Sequence, residues 1–150
     1  MKIKTFIIIL IFFSLTHCGY KPIFSKSNNL GFGIQNIEMS GDKNINRNII
    51  SLLNLPKNNK EKNYDLKLIS QKVIQTAAKD KAGNTSIYRI IIKVSFILLE
   101  ADTPIKSKDF ESTFSYNTMK NKFDLLQYQR SIEVNLIESI AEEIKIFLNS

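Results

Sequence analysis

The clearest periodicity in the chain is two. Tyr64, Leu66 and Leu68 alternate with Asp65 and Lys67, and Tyr88, Ile90, Ile92, Val94, Phe96 and Leu98 alternate with Arg89, Lys93 and Ser95. Side chains on a strand point to opposite faces at successive residues, so each run predicts a strand with one apolar face. Between them, Asp80-Lys81-Ala82-Gly83-Asn84 carries the residues a tight turn needs, and the two runs read as a long antiparallel hairpin. Ile91, Ile97 and Leu99 interrupt the polar set, which predicts partial burial of the second face as well. Phe110, Phe114 and Tyr116 mark a further strand after a loop that includes Thr103-Pro104, and Ile34 to Met39 forms an irregularly alternating strand before the hairpin.

Two stretches change period. Ile45, Ile49, Leu52 and Leu53 fall at helical spacing, with Asp42 or Asn44 able to cap the start and Pro56 helping to end it. Lys57 to Asn63 is a polar loop. Near the carboxyl end, Leu125, Tyr128, Ile132, Leu136, Ile140 and Ile144 recur at steps of three and four, widened by Ile137, Ala141 and Leu148. Asn121 followed by Asp124 resembles a capping box. A stripe this wide covers a sheet, and repeated steps of four drift off a coiled-coil seam. The order β-α-β-β-β-α predicts an α+β fold with two helices packed on one face of a mostly antiparallel four-stranded sheet.

The amino terminus follows another rule. Met1-Lys2-Ile3-Lys4-Thr5 is basic, Phe6 to Phe13 (FIIILIFF) is wholly apolar, and Ser14-Leu15-Thr16-His17-Cys18 follows. That layout predicts a secretory signal. The apolar run is well short of the roughly 20 residues a membrane-spanning helix requires. Leu15 and Thr16 stand at −3 and −2 before Cys18 as in a lipobox, with His17 at −1 where a small residue is usual. The expected division is a removed lipoprotein signal peptide at 1–17, a lipidated N-terminus and polar tether at 18–33, and a single domain at 34–150. Two or more acyl chains on Cys18 would give stable attachment, whereas one holds only reversibly.

This processing decides what the one cysteine and the one histidine can do. Cleavage before Cys18 separates it from His17, so the pair is not a catalytic couple. No internal disulfide, zinc-finger spacing or CxxC pair exists with one Cys. A serine nucleophile would lack a histidine base. Glu142 and Glu143 are helix neighbours that point apart, and Gly31-Phe32-Gly33 leads into no helix. Glu100, Asp102, Asp109 and Glu111 match no calcium loop and read as a solvated loop and strand edge. The chemistry points to a non-enzyme without cofactors, other than covalent lipid at Cys18. Nucleic acid does not suit an exported, tethered chain.

Charge adds one candidate. The 150 residues carry a formal +7, which becomes +5 once Lys2 and Lys4 leave with the signal. From Lys43 to Lys93 there are eleven basic and three acidic residues, a net +8, while 94–150 comes to −3. Such segregation can attract anions. Lys79 and Lys81 flank the predicted turn, and Arg89 and Lys93 share a side of the second hairpin strand. A functional anion site and a solvated basic surface inflated by the chain's lysine-rich composition are both compatible with this pattern.

Cys18-Gly19-Tyr20-Lys21-Pro22-Ile23-Phe24 directly after a lipoprotein signal resembles the mature start of the lipopolysaccharide-assembly lipoprotein family (LptE-type), often Cys-Gly-aromatic-x-Pro-aliphatic-aromatic. The order of a short helix, a long hairpin, a Phe114-Ser115-Tyr116-Asn117 strand and a final helix matches in turn, although the last helix is rich in Ile where the family favours Ala. The resemblance implies a domain tethered to the periplasmic side of a Gram-negative outer membrane. It implies an outer-membrane β-barrel partner, which the lipoprotein plugs and helps to assemble and deliver lipopolysaccharide. Lys79, Lys81, Arg89 and Lys93 are assigned to lipopolysaccharide from their charge and position, not from a family motif. The readings that remain beside it are another periplasmic lipoprotein, serving lipid trafficking or an envelope scaffold, and a histidine-free enzyme.

Overall fold

The structure, a computed structural model, describes residues 31–58 and 62–150. The signal segment, Cys18 and all but the end of the tether lie outside the described residues. The elements are β1 (Gly33–Gly41), α1 (Lys43–Leu53), β2 (Asn63–Lys79), β3 (Thr85–Glu100), β4 (Thr103–Asn117) and α2 (Lys122–Asn149). They form one four-stranded sheet in the order β1-β2-β3-β4. The pairs β2–β3 and β3–β4 are antiparallel, and β1–β2 is parallel. The expected α+β fold is therefore present with a mixed sheet, because the crossover through α1 returns the chain in the same direction.

The irregular alternation of β1 has a local cause. Its register shifts between Ile34 and Asn36. Asn36 is then pinned to the Asp65 carboxylate, its backbone N–H donating at 3.1 Å and its side-chain amide at 2.8 Å. At the far end of β1, Gly41 has φ +84°, and a Cβ there would lie 1.9 Å from the Ser70 carbonyl oxygen. Only glycine lets the chain leave the sheet that close to β2. Asp42 then caps α1 by accepting from the N–H groups of Asn44 and Ile45 at 2.9 and 3.2 Å, and Asn54 ends it in the left-handed conformation.

One face of the sheet is covered. Leu66 and Leu68 of β2, and Ile90, Ile92, Val94, Phe96 and Leu98 of β3, are buried with Ile45, Ile49 and Leu53 of α1. Ile132, Leu136, Ile137, Ile140, Ala141, Ile144 and Leu148 of α2 complete the same cluster. Each fully buried aliphatic or Phe side chain contributes about 1.5–3 kcal/mol. Phe147 closes one end, edge-on to Phe96 and Phe110 at 6.4 and 5.9 Å between ring centroids. Tyr88, Tyr116 and Tyr128 line the other, with Tyr116 stacked on Tyr88 at 5.7 Å.

Two expectations need correction. Leu52 is 37% exposed, because the cover of α1 rests on Ile45, Ile49 and Leu53. Thr103 and Pro104 are not in a loop: they open β4, opposite Glu100 and Leu99. The turn is only Ala101-Asp102, both at positive φ, and β4 is an edge strand where proline's missing N–H is tolerated. The partial burial expected at Ile91, Ile97 and Leu99 is present: all three are half-buried, although no described element is laid over their face of the sheet.

Candidate functional site

The tip between β2 and β3 is built around one carboxylate. Asp80 accepts from the backbone N–H of Ala82 at 2.8 Å and of Asn84 at 2.9 Å, and from the Asn84 amide at 3.3 Å. Backbone bonds from Asp80 N to Asn84 O at 2.8 Å and from Gly83 N to Asp80 O at 3.0 Å close the loop, with Gly83 at φ +87°. The Asn84 N–H, first among several donors, holds the Asp80 carboxyl below its ordinary value. A turn fastened in this way presents the exposed Lys79 and Lys81 on a defined loop at the end of the hairpin.

The other two predicted cations lie elsewhere. Arg89 sits opposite Gln75 and Ser115 on the uncovered face, and its Nε donates to Ser115 Oγ at 3.2 Å. Lys93 is four residues further along β3, roughly 13 Å at strand spacing. Its Nζ is 3.1 Å from a Glu111 carboxylate oxygen. The four residues are thus a tip pair, a separate arginine, and a lysine already charge-paired. Lys93 borders a shallow depression of about 420 Å³ lined by Ile69, Ser95, Asp109 and Glu111 among others. Among the described residues, no three potential metal-ligating side chains gather, and no helix is long and apolar enough to cross a membrane.

A second concentration of positive charge lies in the helical layer, where block charge counting did not expose it. Arg47 of α1, Lys72 of β2 and Arg130 of α2 line one cleft of about 630 Å³. Arg130 belongs to the acidic third of the sequence, so only the packing of α2 beside α1 brings it to the others. The signal available in the sequence was its position on α2, four residues after Leu126 and four before Val134.

No family model and no curated protein sequence matches this chain. Solved structures do match. Rare lipoprotein B from Shewanella oneidensis is 17% identical with a TM-score of 0.54, over 73% of this chain and 90% of that one. A minor lipoprotein from Acinetobacter baumannii is 12% identical with a TM-score of 0.59, over 77% and 90%. An uncharacterized lipoprotein B from Nitrosomonas europaea is 9% identical with a TM-score of 0.57, over 81% and 87%. At these identities the likeness establishes a shared fold, and the fold is one found among bacterial lipoproteins.

Proposed function

We propose that the protein is an exported lipoprotein, acylated at Cys18 and held to the periplasmic side of a Gram-negative outer membrane. There it plugs a β-barrel partner and assists it in assembling and delivering lipopolysaccharide, without catalysis and without a cofactor. The observation that carries this reading is a conjunction. A Cys-Gly-Tyr-Lys-Pro-Ile-Phe start behind a lipoprotein signal precedes a domain whose fold recurs in bacterial lipoproteins.

The tip supports a contact with the ligand. Lys79 and Lys81 project at the end of a 17-residue strand, make no ion pair among the described residues, and suit phosphates or acidic sugars. Arg89 stands apart from the tip on the uncovered face, and Lys93 joins a ligand contact only by giving up Glu111. Two measurements test the reading. Intact-mass analysis of membrane-extracted protein should give a chain starting at Cys18 with added acyl mass, and an unprocessed or unacylated chain would contradict it. Lys79→Glu with Lys81→Glu should weaken lipopolysaccharide binding severalfold at low salt, and unchanged binding would remove the tip from the site.

A further inference from the structure

We infer that the cleft between α1 and α2 is a binding site for a phosphate group, recognised by Arg47 and Arg130. Its walls are Asn44, Arg47 and Asn48 from α1, Lys72 from β2, and Arg130, Glu133, Val134 and Ile137 from α2. Three cations face one carboxylate in this lining. That carboxylate is already committed: Lys72 Nζ donates to both oxygens of Glu133 at 3.1 and 3.0 Å. The same ammonium lies 4.0 Å from Asp42, whose other oxygen caps α1. Lys72 is therefore neutralised from two sides. Arg47 and Arg130, on different helices, make no ion pair among the described residues.

Two guanidiniums without a carboxylate partner line one concavity, and a bound dianion is attracted by both. The planar fork of each guanidinium matches two phosphate oxygens at once. Asn44 and Asn48 place side-chain amides on the same wall, where they can donate to remaining oxygens. Recognition runs through side chains, since the first N–H groups of α1 are consumed by Asp42.

The flanks of the cleft narrow the ligand class. Leu126 and Val134 lie one helical step either side of Arg130 and are 53% and 49% exposed. Ile74, two residues beyond Lys72 and on the same side of β2, is also exposed. Phosphate recognition set among exposed aliphatic side chains suits a phosphorylated amphiphile as well as a free phosphate. The cleft lies on the helix-covered side of the sheet, away from Arg89 and Lys93, and the inference does not depend on a barrel partner.

The test is titration calorimetry on the full acylated protein in a nonionic detergent, with inorganic phosphate and with short-chain dihexanoyl phosphatidic acid as probes. Binding of either probe is expected, weakening with salt, with Kd raised at least tenfold by Arg47→Gln plus Arg130→Gln. Glu133→Gln, which leaves Lys72 with only the more distant Asp42 carboxylate, should tighten binding. Lys79→Glu with Lys81→Glu should leave it unchanged. Equal affinity for the two probes supports the site with phosphate alone as the ligand. Tighter phosphatidic acid binding, lost on Leu126→Ser plus Val134→Ser, supports it with an amphiphile. Arg47 and Arg130 are exposed, so an unaltered thermal midpoint will show that the double variant is folded. No binding of either probe, or wild-type affinity in that folded variant, overturns the inference.

Discussion

Leu68 and Ile69 are adjacent in β2 and nearly identical in chemistry, yet Leu68 is fully buried while Ile69 keeps 38% of its surface exposed. The difference is the layer above them. Leu68 lies opposite Phe96 on the face that α1 and α2 cover, whereas Ile69 lies opposite Ser95 on the face that no described element covers. The two faces thus divide the work. The covered face supplies the burial that holds the fold together, and the open face leaves Arg89 and several half-exposed aliphatic side chains at the surface.

The division can be broken most severely at its own contrast. Leu68→Ala should cost about 2–5 kcal/mol, and Ile69→Ala about 1 kcal/mol or less. Urea unfolding of both variants measures this, and equal losses would mean that the open face is also packed. Gly41 comes next, because it releases the chain from the sheet and sends α1 over the covered face. Gly41→Ala puts a Cβ into the Ser70 carbonyl at a positive φ and should cost about 2 kcal/mol or more. A wild-type thermal midpoint would refute that account of the crossover.

Smaller effects are expected at the turns, which keep both faces in register. Ala101 has φ +46° in the two-residue turn before β4. Ala101→Gly relieves left-handed strain and should raise stability by about 0.5–1 kcal/mol, read in the same urea experiment. At the other turn the effect is local and pH-dependent. The Asp80 carboxyl is held below its ordinary 3.8, so its stabilising bonds are present above that value and lost as pH falls through the lowered one. Amide exchange at Ala82 and Asn84, corrected for intrinsic rates, should keep its protection above 3.8 and lose it over the range of pH below that value. Protection that is constant across that range would mean another group holds the tip.

What could be read in advance follows from the range of each interaction. The alternation of Tyr88 to Leu98, the stripe from Ile132 to Leu148 and the Asp80–Asn84 turn are local patterns, and the structure has all three where expected. The direction of β1 against β2 is not local, since period two says nothing of a strand's partner. β2 runs to Lys79 although Ser70 to Lys79 alternates poorly, because its pairing with β3 supplies the order. The Ala101-Asp102 turn lacks the Asn-Gly or Asp-Gly signal, so Thr103-Pro104 looked like loop. The tip pair of the candidate site was legible, being two residues apart in sequence. The loss of Lys93 to Glu111, and the meeting of Arg47 with Arg130, depend on register and on helix packing that no short window contains.

The proposed partner is an outer-membrane barrel. Affinity purification of the membrane-extracted, full-length protein, with partners identified by mass spectrometry, tests it most directly. The account predicts that one outer-membrane β-barrel co-purifies in stable proportion. Recovery without a barrel, or with inner-membrane components in its place, would contradict it and favour a lipid-trafficking or envelope-scaffold accessory.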